Sequence, residues 1–565
     1  MDALDVNVLI GGAAGQGMDT LAAFFQKVLQ REGYHVLVTK DYMSRVRGGH
    51  NFIQIRFSDH PLVSHRDKLD VIVALDKQTV EEHLPRLIPD GKVLCDEKIE
   101  PADDRCLTFP INETAKEAGD SRMTTTVFLG LLLRFFQLSL DKAEALLLTT
   151  FQDDQIKENL EALQQGSRLI EPVRPLEPGM VQDRILINGN ESVALGALAA
   201  GVLFYSGYPM TPSTSIMNYL ASKQGEAGLV VEQAEDEIAA INMAIGANYA
   251  GIRAMTGTSG GGFSLMTEAL GLAGITETPL VVIDVQRPGP ATGFPTRTEQ
   301  SDLSFLLTAS HGEIPRMITA LRSPEDAFEK TIRAWNLAEQ YQIPVLLLSD
   351  QYLADTARTV PPFDFSSVDI QRHLADPDEY PPSQTYQRYA FTSSGVSPRL
   401  VPGKASDQVV LADSDEHDED GHITESADMR IRMMEKRMGK MALLEKEVEE
   451  PWQLGSEHGE TLLIAWGSLS GPVEEAVERL QAEDISVTVL IFGDLWPLPI
   501  DRLTTLVPHA SRIVAVEQNY TGQLAKLIRQ ETGIACTHKI LKFDGRPFSG
   551  EEIVTRLKEE VLNHD

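Results

Sequence analysis

The stretch Val6-Asn-Val-Leu-Ile-Gly11-Gly-Ala-Ala-Gly15-Gln-Gly17, followed by Met18 to Arg31 with apolar residues at helical spacing, reads as strand, glycine turn and helix. Further short β-branched runs follow at His35 to Thr39, Asn51 to Phe57 and Val71 to Leu75, separated by helical patterns such as Gln78 to Leu87. Alternating strands and helices predict an α/β domain over residues 1–178. The turn does not fit GxGxxG and carries no Walker lysine, so two readings stand: a phosphate cradle at a helix N-terminus, or a tight turn with no ligand. Beside it, Arg45-Val-Arg47-Gly-Gly-His50 places two arginines next to a glycine pair. In so acidic a chain they can hold an anion, or simply pair with neighbouring carboxylates.

Outward from this segment, Pro and polar residues between Ile170 and Asp183 mark a linker, and Arg184 to Asn188 opens a second α/β unit expected over 184–360. Val230 to Glu232, Leu280 to Val285 and Ile343 to Ser349 read as buried parallel strands, and Ile238 to Ala250 as a helix apolar nearly all round and therefore buried. Residues 361–454 form an excursion of Pro, Ser, Asp and His with an acidic run, Asp413 to Glu419, and a helical stretch, Met429 to Glu447. The last α/β unit, 455–565, opens with Thr461-Leu-Leu-Ile-Ala-Trp-Gly467. The fold class is thus α/β, three domains with mainly parallel sheets.

Composition limits the function. At 565 residues with Lys+Arg 50 against Asp+Glu 83, the net charge of -33 repels nucleic acid and anionic membrane surfaces. The three cysteines, Cys95, Cys106 and Cys536, include no CxxC pair, so any iron-sulfur cluster must sit on another chain. The start has no basic leader region and no apolar run reaches membrane-spanning length, which predicts a cytoplasmic protein.

Four stretches carry candidate chemistry. In Tyr208-Pro-Met-Thr211-Pro-Ser213-Thr214 the prolines fix a turn; Ser213 or Thr214 is the expected helix N-cap, and Thr211 presents its hydroxyl to a ligand. Val230-Val-Glu232-Gln-Ala-Glu235-Asp236-Glu237 sets four acids before the apolar helix. The macrodipole accounts for most of them, but Glu237 leads into the buried surface, where an ionised carboxylate is costly without a partner. Thr256-Gly-Thr-Ser-Gly260-Gly261-Gly allows close approach of the backbone to a planar ligand. Gln286-Arg287-Pro-Gly-Pro-Ala-Thr292-Gly-Phe-Pro-Thr296-Arg297 brings two arginines, the residue that grips carboxylates bidentately, onto a constrained loop where salt-bridge roles also stand open.

Taken together these stretches resemble the 2-oxoacid:ferredoxin oxidoreductase family over most of the chain. Tyr208-Pro-Met-Thr-Pro-Ser resembles the family's YPITPS motif; Gly11 to Gly17 with Arg45-Val-Arg47-Gly-Gly resembles the γ component, here fused ahead of the α component, although its turn departs from the usual GxGGQG. Glu416-His-Asp-Glu-Asp-Gly-His-Ile-Thr-Glu425 and Val516-Glu517-Gln-Asn-Tyr-Thr-Gly522 resemble stretches of 2-oxoglutarate-type α subunits.

The resemblance implies that the central domain is a thiamine-diphosphate pyrimidine-type domain and the last a transketolase-C-terminal-like one. It implies a cofactor shared with a β subunit that carries the diphosphate and Mg²⁺ site and a [4Fe-4S] cluster. The GDG motif of a diphosphate site is absent, since the DG pairs at Asp90, Asp420 and Asp544 lack a preceding Gly. By the same resemblance, Glu237 hydrogen-bonds the aminopyrimidine, Tyr208, Pro209, Gly260 and Gly261 line the cofactor, and Thr211 and Arg287, with Thr296 and Arg297 as second candidates, bind the substrate carboxylate. Gly15, Gly17, Arg45 and Arg47 are the possible CoA or anion site. The expected reaction is oxidative decarboxylation of 2-oxoglutarate to succinyl-CoA with electrons passed to ferredoxin, in a dimer of heterodimers. The rivals are the same machinery on pyruvate, indolepyruvate or branched-chain 2-oxoacids, a non-catalytic CoA- or nucleotide-binding regulatory subunit, and a self-contained transketolase-type enzyme, against which the missing GDG counts.

Overall fold

The computed structural model describes residues 4–44 and 48–564, and the chain falls into two compact units. The first comprises Met1–Ile187, Asp355–Pro362 and Ser549–Glu551. Its eight-stranded sheet runs, in spatial order, Cys106–Phe109, Leu87–Asp96, Leu69–Ala74, Asp5–Ala14, Gly48–Ser58, His35–Asp41, Ala357–Val360 and Ile185–Ile187. The strand Asp5–Ala14 is central and buried from Val6 to Gly12, which is why it reads as an unbroken apolar run. Helices Met18–Arg31 and Thr124–Phe136 cover this sheet with Leu21, Phe25, Leu132 and Phe136.

The stretch expected as one domain over 184–360 gives its first and last strands, Ile185–Ile187 and Ala357–Val360, to this sheet. They pair antiparallel with each other and extend the edge left open by His35–Asp41. Backbone donors and acceptors on an open edge favour such pairing whatever the order of the chain.

The second unit holds two sheets. Seven strands lie in the order Asp494–Trp496, Met317–Ala320, Pro344–Asp350, Leu280–Gln286, Ala254–Thr258, Phe204–Gly207 and Val230–Gln233, all parallel except the first. Five lie in the order Trp452–Gly455, Val487–Phe492, Thr461–Trp466, Arg512–Glu517 and His538–Leu541, with Trp452–Gly455 antiparallel. One apolar core, including Leu346, Phe263, Trp466 and Leu490, runs through both.

Leu280–Gln286 and Pro344–Asp350 are buried throughout, as expected. Two expectations are corrected. Val230–Gln233 is an edge strand, with Val230 53% exposed, because it has a neighbour on one side only. The helix Glu237–Tyr249 is buried on one face and open on the other, where Ile238 is 49% and Met243 37% exposed.

The excursion has more order than its composition suggests. It carries the helix Ala427–Met438, the short helix Met441–Leu444 and a small core of Tyr386, Leu400 and Ala405. What fastens it is charge. Buried Glu277, just past the helix Gly260–Ile275, accepts from the ammonium groups of both Lys436 and Lys440, while Arg388 donates to the carbonyls of Thr276 and Glu277. The acidic run contributes Glu416, gripped by Arg430 and by Arg437 at 2.8 and 2.9 Å. Burial alone would raise the Glu277 carboxyl, yet Lys440, Lys436 and Arg388 hold it far below the ordinary carboxylate range. No helix among the described residues is long and apolar enough to cross a membrane.

Removing one partner from a buried ion cluster strands the others. Glu277→Gln should therefore destabilise the chain by about 3–5 kcal/mol, read as a lower urea midpoint. Because the folded carboxyl is held low, the wild-type contribution is complete above ~pH 5 and disappears as the pH falls; the midpoints of wild type and variant should converge in acid.

Candidate functional site

Parallel strands deliver their carboxyl ends to one edge of a sheet, which is where α/β proteins place ligands. Four neighbouring strands of the second unit do so. Phe204–Gly207 leads into Tyr208 and Thr211, Val230–Gln233 into Glu237, Ala254–Thr258 into Gly260, and Leu280–Gln286 into Arg287.

Glu237 opens its helix. Asp236 is the N-cap, its carboxylate accepting from the Ala239 N–H at 2.8 Å, and Glu232 and Glu235 stay exposed. Glu237 alone of the four acids is turned inward, at 3% exposure. Its carboxyl lies against Gly262 and Thr258: a Cβ on Gly262 would stand 2.4 Å from Glu237 Oε1 and 2.1 Å from Thr258 Oγ1. Glu237 Oε1 is buried and has no hydrogen-bond partner, and Thr256 Oγ1 and Ser259 Oγ nearby share that condition.

The comparison with other buried carboxylates in this unit is decisive. Glu339 is held by Arg253, Arg372 and Arg399. Glu517 accepts from the Trp466 indole, the Asn519 amide and the backbone N–H groups of Leu524 and Ala525. Among the described residues, the buried carboxylate oxygens left without a partner are Glu237 Oε1 and both oxygens of Asp284. A buried acceptor without a donor costs on the order of 1–3 kcal/mol, so such a group is retained for something other than stability.

Thr258 links this centre to the proline turn through a contact of 3.7 Å with Met210 Sδ. The turn is tied down from both sides: Asn190 donates to the Pro212 carbonyl at 2.9 Å and the Ser213 hydroxyl to the Met210 carbonyl at 2.8 Å. Ser213 does occupy the N-cap position, but its hydroxyl makes this local bond and caps nothing. Arg287 donates to the Thr211 carbonyl at 2.6 Å, which ties the Arg287 loop to the proline turn, while Thr258 and Glu237 both crowd Gly262.

Behind Arg287 stands an acidic set that the sequence reading did not single out. Asp284 is fully buried in the strand Leu280–Gln286, level with Thr258 on the neighbouring strand. Burial, and then the Asp302 carboxyl facing it, push Asp284 well above the usual carboxylate range. Asp302 is raised to about 6 by burial, against the lowering influence of Asp284 and Arg287. Glu299 is raised to about 7, chiefly by burial. The signal available was one acid inside Leu280-Val-Val-Ile-Asp284-Val, an otherwise apolar run.

Of the remaining expected residues, Tyr208 is exposed and Pro209 half-buried. Gly260 is pressed by Asp302, whose Oδ2 would lie 2.4 Å from a Cβ there, whereas Gly261 is open. Thr296 is buried, and Arg297 lies at the far end of the loop beside Gly545. In the first unit, Gly15 and Gly17 both have positive φ at the mouth of a cavity of about 600 Å³, with Lys40, Tyr42 and Asp355 on its walls. Arg45 and Arg47 lie outside the described residues.

Residues 195–436 match the family described as pyruvate flavodoxin/ferredoxin oxidoreductase, thiamine diphosphate-binding. Residues 7–169 match pyruvate ferredoxin/flavodoxin oxidoreductase, and 459–553 match pyruvate:ferredoxin oxidoreductase core domain II. The chain is 33% identical to a 2-oxoacid:ferredoxin oxidoreductase subunit alpha of Sulfolobus sp, over 96% of this chain and 95% of that protein. It is 30% identical to the 2-oxoglutarate oxidoreductase subunit KorA of Mycobacterium tuberculosis, over 97% and 90%. A solved 2-oxoglutarate:ferredoxin oxidoreductase from Magnetococcus marinus, with 2-oxoglutarate, coenzyme A and succinyl-CoA bound, superposes with a TM-score of 0.90 at 33% identity, covering 98% of this chain and 99% of that one.

The two glycines of the 260s give a paired test of the geometry. Gly262→Ala drives a methyl into Glu237 and Thr258, and should cost ~1–3 kcal/mol, the usual penalty of overpacking. Gly261→Ala, whose nearest atom would be 3.7 Å away, should be neutral or stabilise by about 0.4–1 kcal/mol. Urea midpoints of the two variants measure the difference.

Proposed function

The chain belongs to the 2-oxoacid:ferredoxin oxidoreductase family as an α-type subunit with a thiamine-diphosphate-binding domain, and from that premise we propose that it oxidises 2-oxoglutarate to succinyl-CoA and CO₂ in the cytoplasm. It acts together with a β subunit carrying the diphosphate and Mg²⁺ site and a [4Fe-4S] cluster, in a dimer of heterodimers, with ferredoxin as electron acceptor. The observation that carries the reading is Glu237 Oε1, a buried acceptor without a donor at the carboxyl edge of a parallel sheet. That is the partner a protonated ring nitrogen requires.

When bound, thiamine diphosphate would supply the nucleophilic carbon that the 2-oxo group needs. Glu237 holds the proton at N1′ of the aminopyrimidine. The Gly260–Gly261 backbone and the Tyr208-Pro209 turn give the ring a flat, close approach. Thr211 and Arg287 take the substrate's C1 carboxylate, Arg287 being already anchored beside Thr211; Thr296 and Arg297 are the second set. The distal carboxylate of 2-oxoglutarate needs a further cation, from Arg297 or the partner chain. CoA is assigned to the cavity of the first unit, where Gly15 and Gly17 stand at the N-terminus of Met18–Arg31 and suit an anionic group, with Arg45 and Arg47 as its cations.

The choice of 2-oxoglutarate is supported by the relatives named for that substrate. It is tested by initial rates of CoA-dependent acceptor reduction by the assembled complex. The expected order is 2-oxoglutarate well ahead of pyruvate, indolepyruvate and branched-chain 2-oxoacids, and a preference for any of these reassigns the substrate. In the same assay Glu237→Gln should lower kcat by about 10²- to 10⁴-fold, the worth of a positioned acid or base, while Glu235→Gln costs far less. Arg287→Ala should raise KM on the order of 10- to 100-fold, since a carboxylate loses a charged partner.

A further inference from the structure

Asp284 poses a problem that the functions assigned above do not answer. It lies in a strand buried on both faces, and neither of its oxygens meets a donor. Side chains two apart on a strand share a face, so Asp284 stands beside Gln286. The Gln286 side chain accepts from the backbone N–H of Asp302 at 3.0 Å and donates to the Ser349 carbonyl at 3.0 Å. Gln286 thereby ties the start of the helix Leu303–Thr308 to the strand that carries Asp284, and the Asp302 carboxyl, pressed against Gly260 at the end of the neighbouring strand, acts on the Asp284 carboxyl. Two carboxylates held face to face in a buried place have no donor between them unless one is protonated, and like charges at such a separation do not both ionise.

Among the described residues, the charged group that acts on Asp284 is Asp302. On Asp302 itself the charged influences are Asp284 and Arg287, and Glu299 in turn is influenced by Asp302 and Asp544. Among the described residues, Arg287 is the cation that acts on Asp302.

We propose that Asp284 and Asp302 hold one proton between them, and that this shared proton keeps the acidic side of the site singly charged, so that Arg287 can draw in an anionic substrate. With the proton in place, the pair and Arg287 sum to zero. Without it the same three groups sum to one negative charge, which repels a 2-oxoacid. Asp284 and Asp302 act through Arg287 and are positioning residues. This rests on Arg287 as the ligand of the substrate carboxylate, whereas the shared proton itself does not.

Two measurements separate these layers. Infrared spectra of the full-length chain at mildly alkaline pH should show a protonated-carboxyl C=O stretch that Asp284→Asn removes and Asp302→Asn retains, because a lone buried Asp284 stays neutral. Identical spectra for wild type and Asp284→Asn would overturn the shared proton. In the assembled complex, KM for the 2-oxoacid should rise on the order of tenfold from mildly to more strongly alkaline pH, above the range in which Glu299 ionises, as expected for one added nearby charge. In Asp284→Asn, which cannot reach the doubly charged state, it should stay flat. An equal rise in both would overturn the coupling to the substrate. If the infrared band behaves as expected but Arg287→Ala leaves KM unchanged, the substrate assignment of Arg287 falls and the proton pair stands.

Discussion

A carboxyl turned into a protein interior must find donors or neutralise itself, and the candidate site is built around two, Glu237 and Asp284, with buried oxygens that meet no donor among the described residues. Glu237 begins a helix whose N-cap is already taken by Asp236, so it is not needed for capping. Gly262 is the reason it fits, because any side chain there would occupy the space of its carboxyl. The sheet supplies the rest. Four parallel strands end together, and each contributes one element: the proline turn, the helix with Glu237, the glycine turn and the Arg287 loop.

The contrast with the structural carboxylates gives this meaning. Glu277, Glu339 and Glu517 are as deeply buried as Glu237, yet lysines, arginines or backbone N–H groups satisfy each of them. Those pairs fasten irregular segments: Glu277 holds the helix Ala427–Met438, and Glu339 holds Arg372 and Arg399 of the excursion. The same residue type is thus used in opposite ways, saturated where the fold is held and unsaturated at the candidate site.

Much of this was legible in the sequence because it is local. The strand, glycine turn and helix at Val6 to Arg31 are fixed by period and by glycine, and Glu237 was distinguishable because an acid leads an apolar helix. Other features are not local. Val230-Val231 has the composition of a core strand and becomes an edge only through its place in the sheet order. Ile238 and Met243 are apolar on a face that periodicity cannot distinguish from a buried one. The pairing of Glu277 with Lys436 and Lys440 joins residues more than 150 positions apart. Asp284 and Asp302 are drawn together by Gln286, a residue with no pattern of its own.

The central claim is that this chain provides the aminopyrimidine half of a cofactor site and lacks the diphosphate half. Calorimetric titration of thiamine diphosphate with Mg²⁺ tests it directly, carried out on the purified chain alone and on the chain mixed with its β subunit. The account predicts weak binding or none to the chain alone and tight binding, one cofactor per heterodimer, in the mixture. Tight, Mg²⁺-dependent binding to the chain by itself would contradict it.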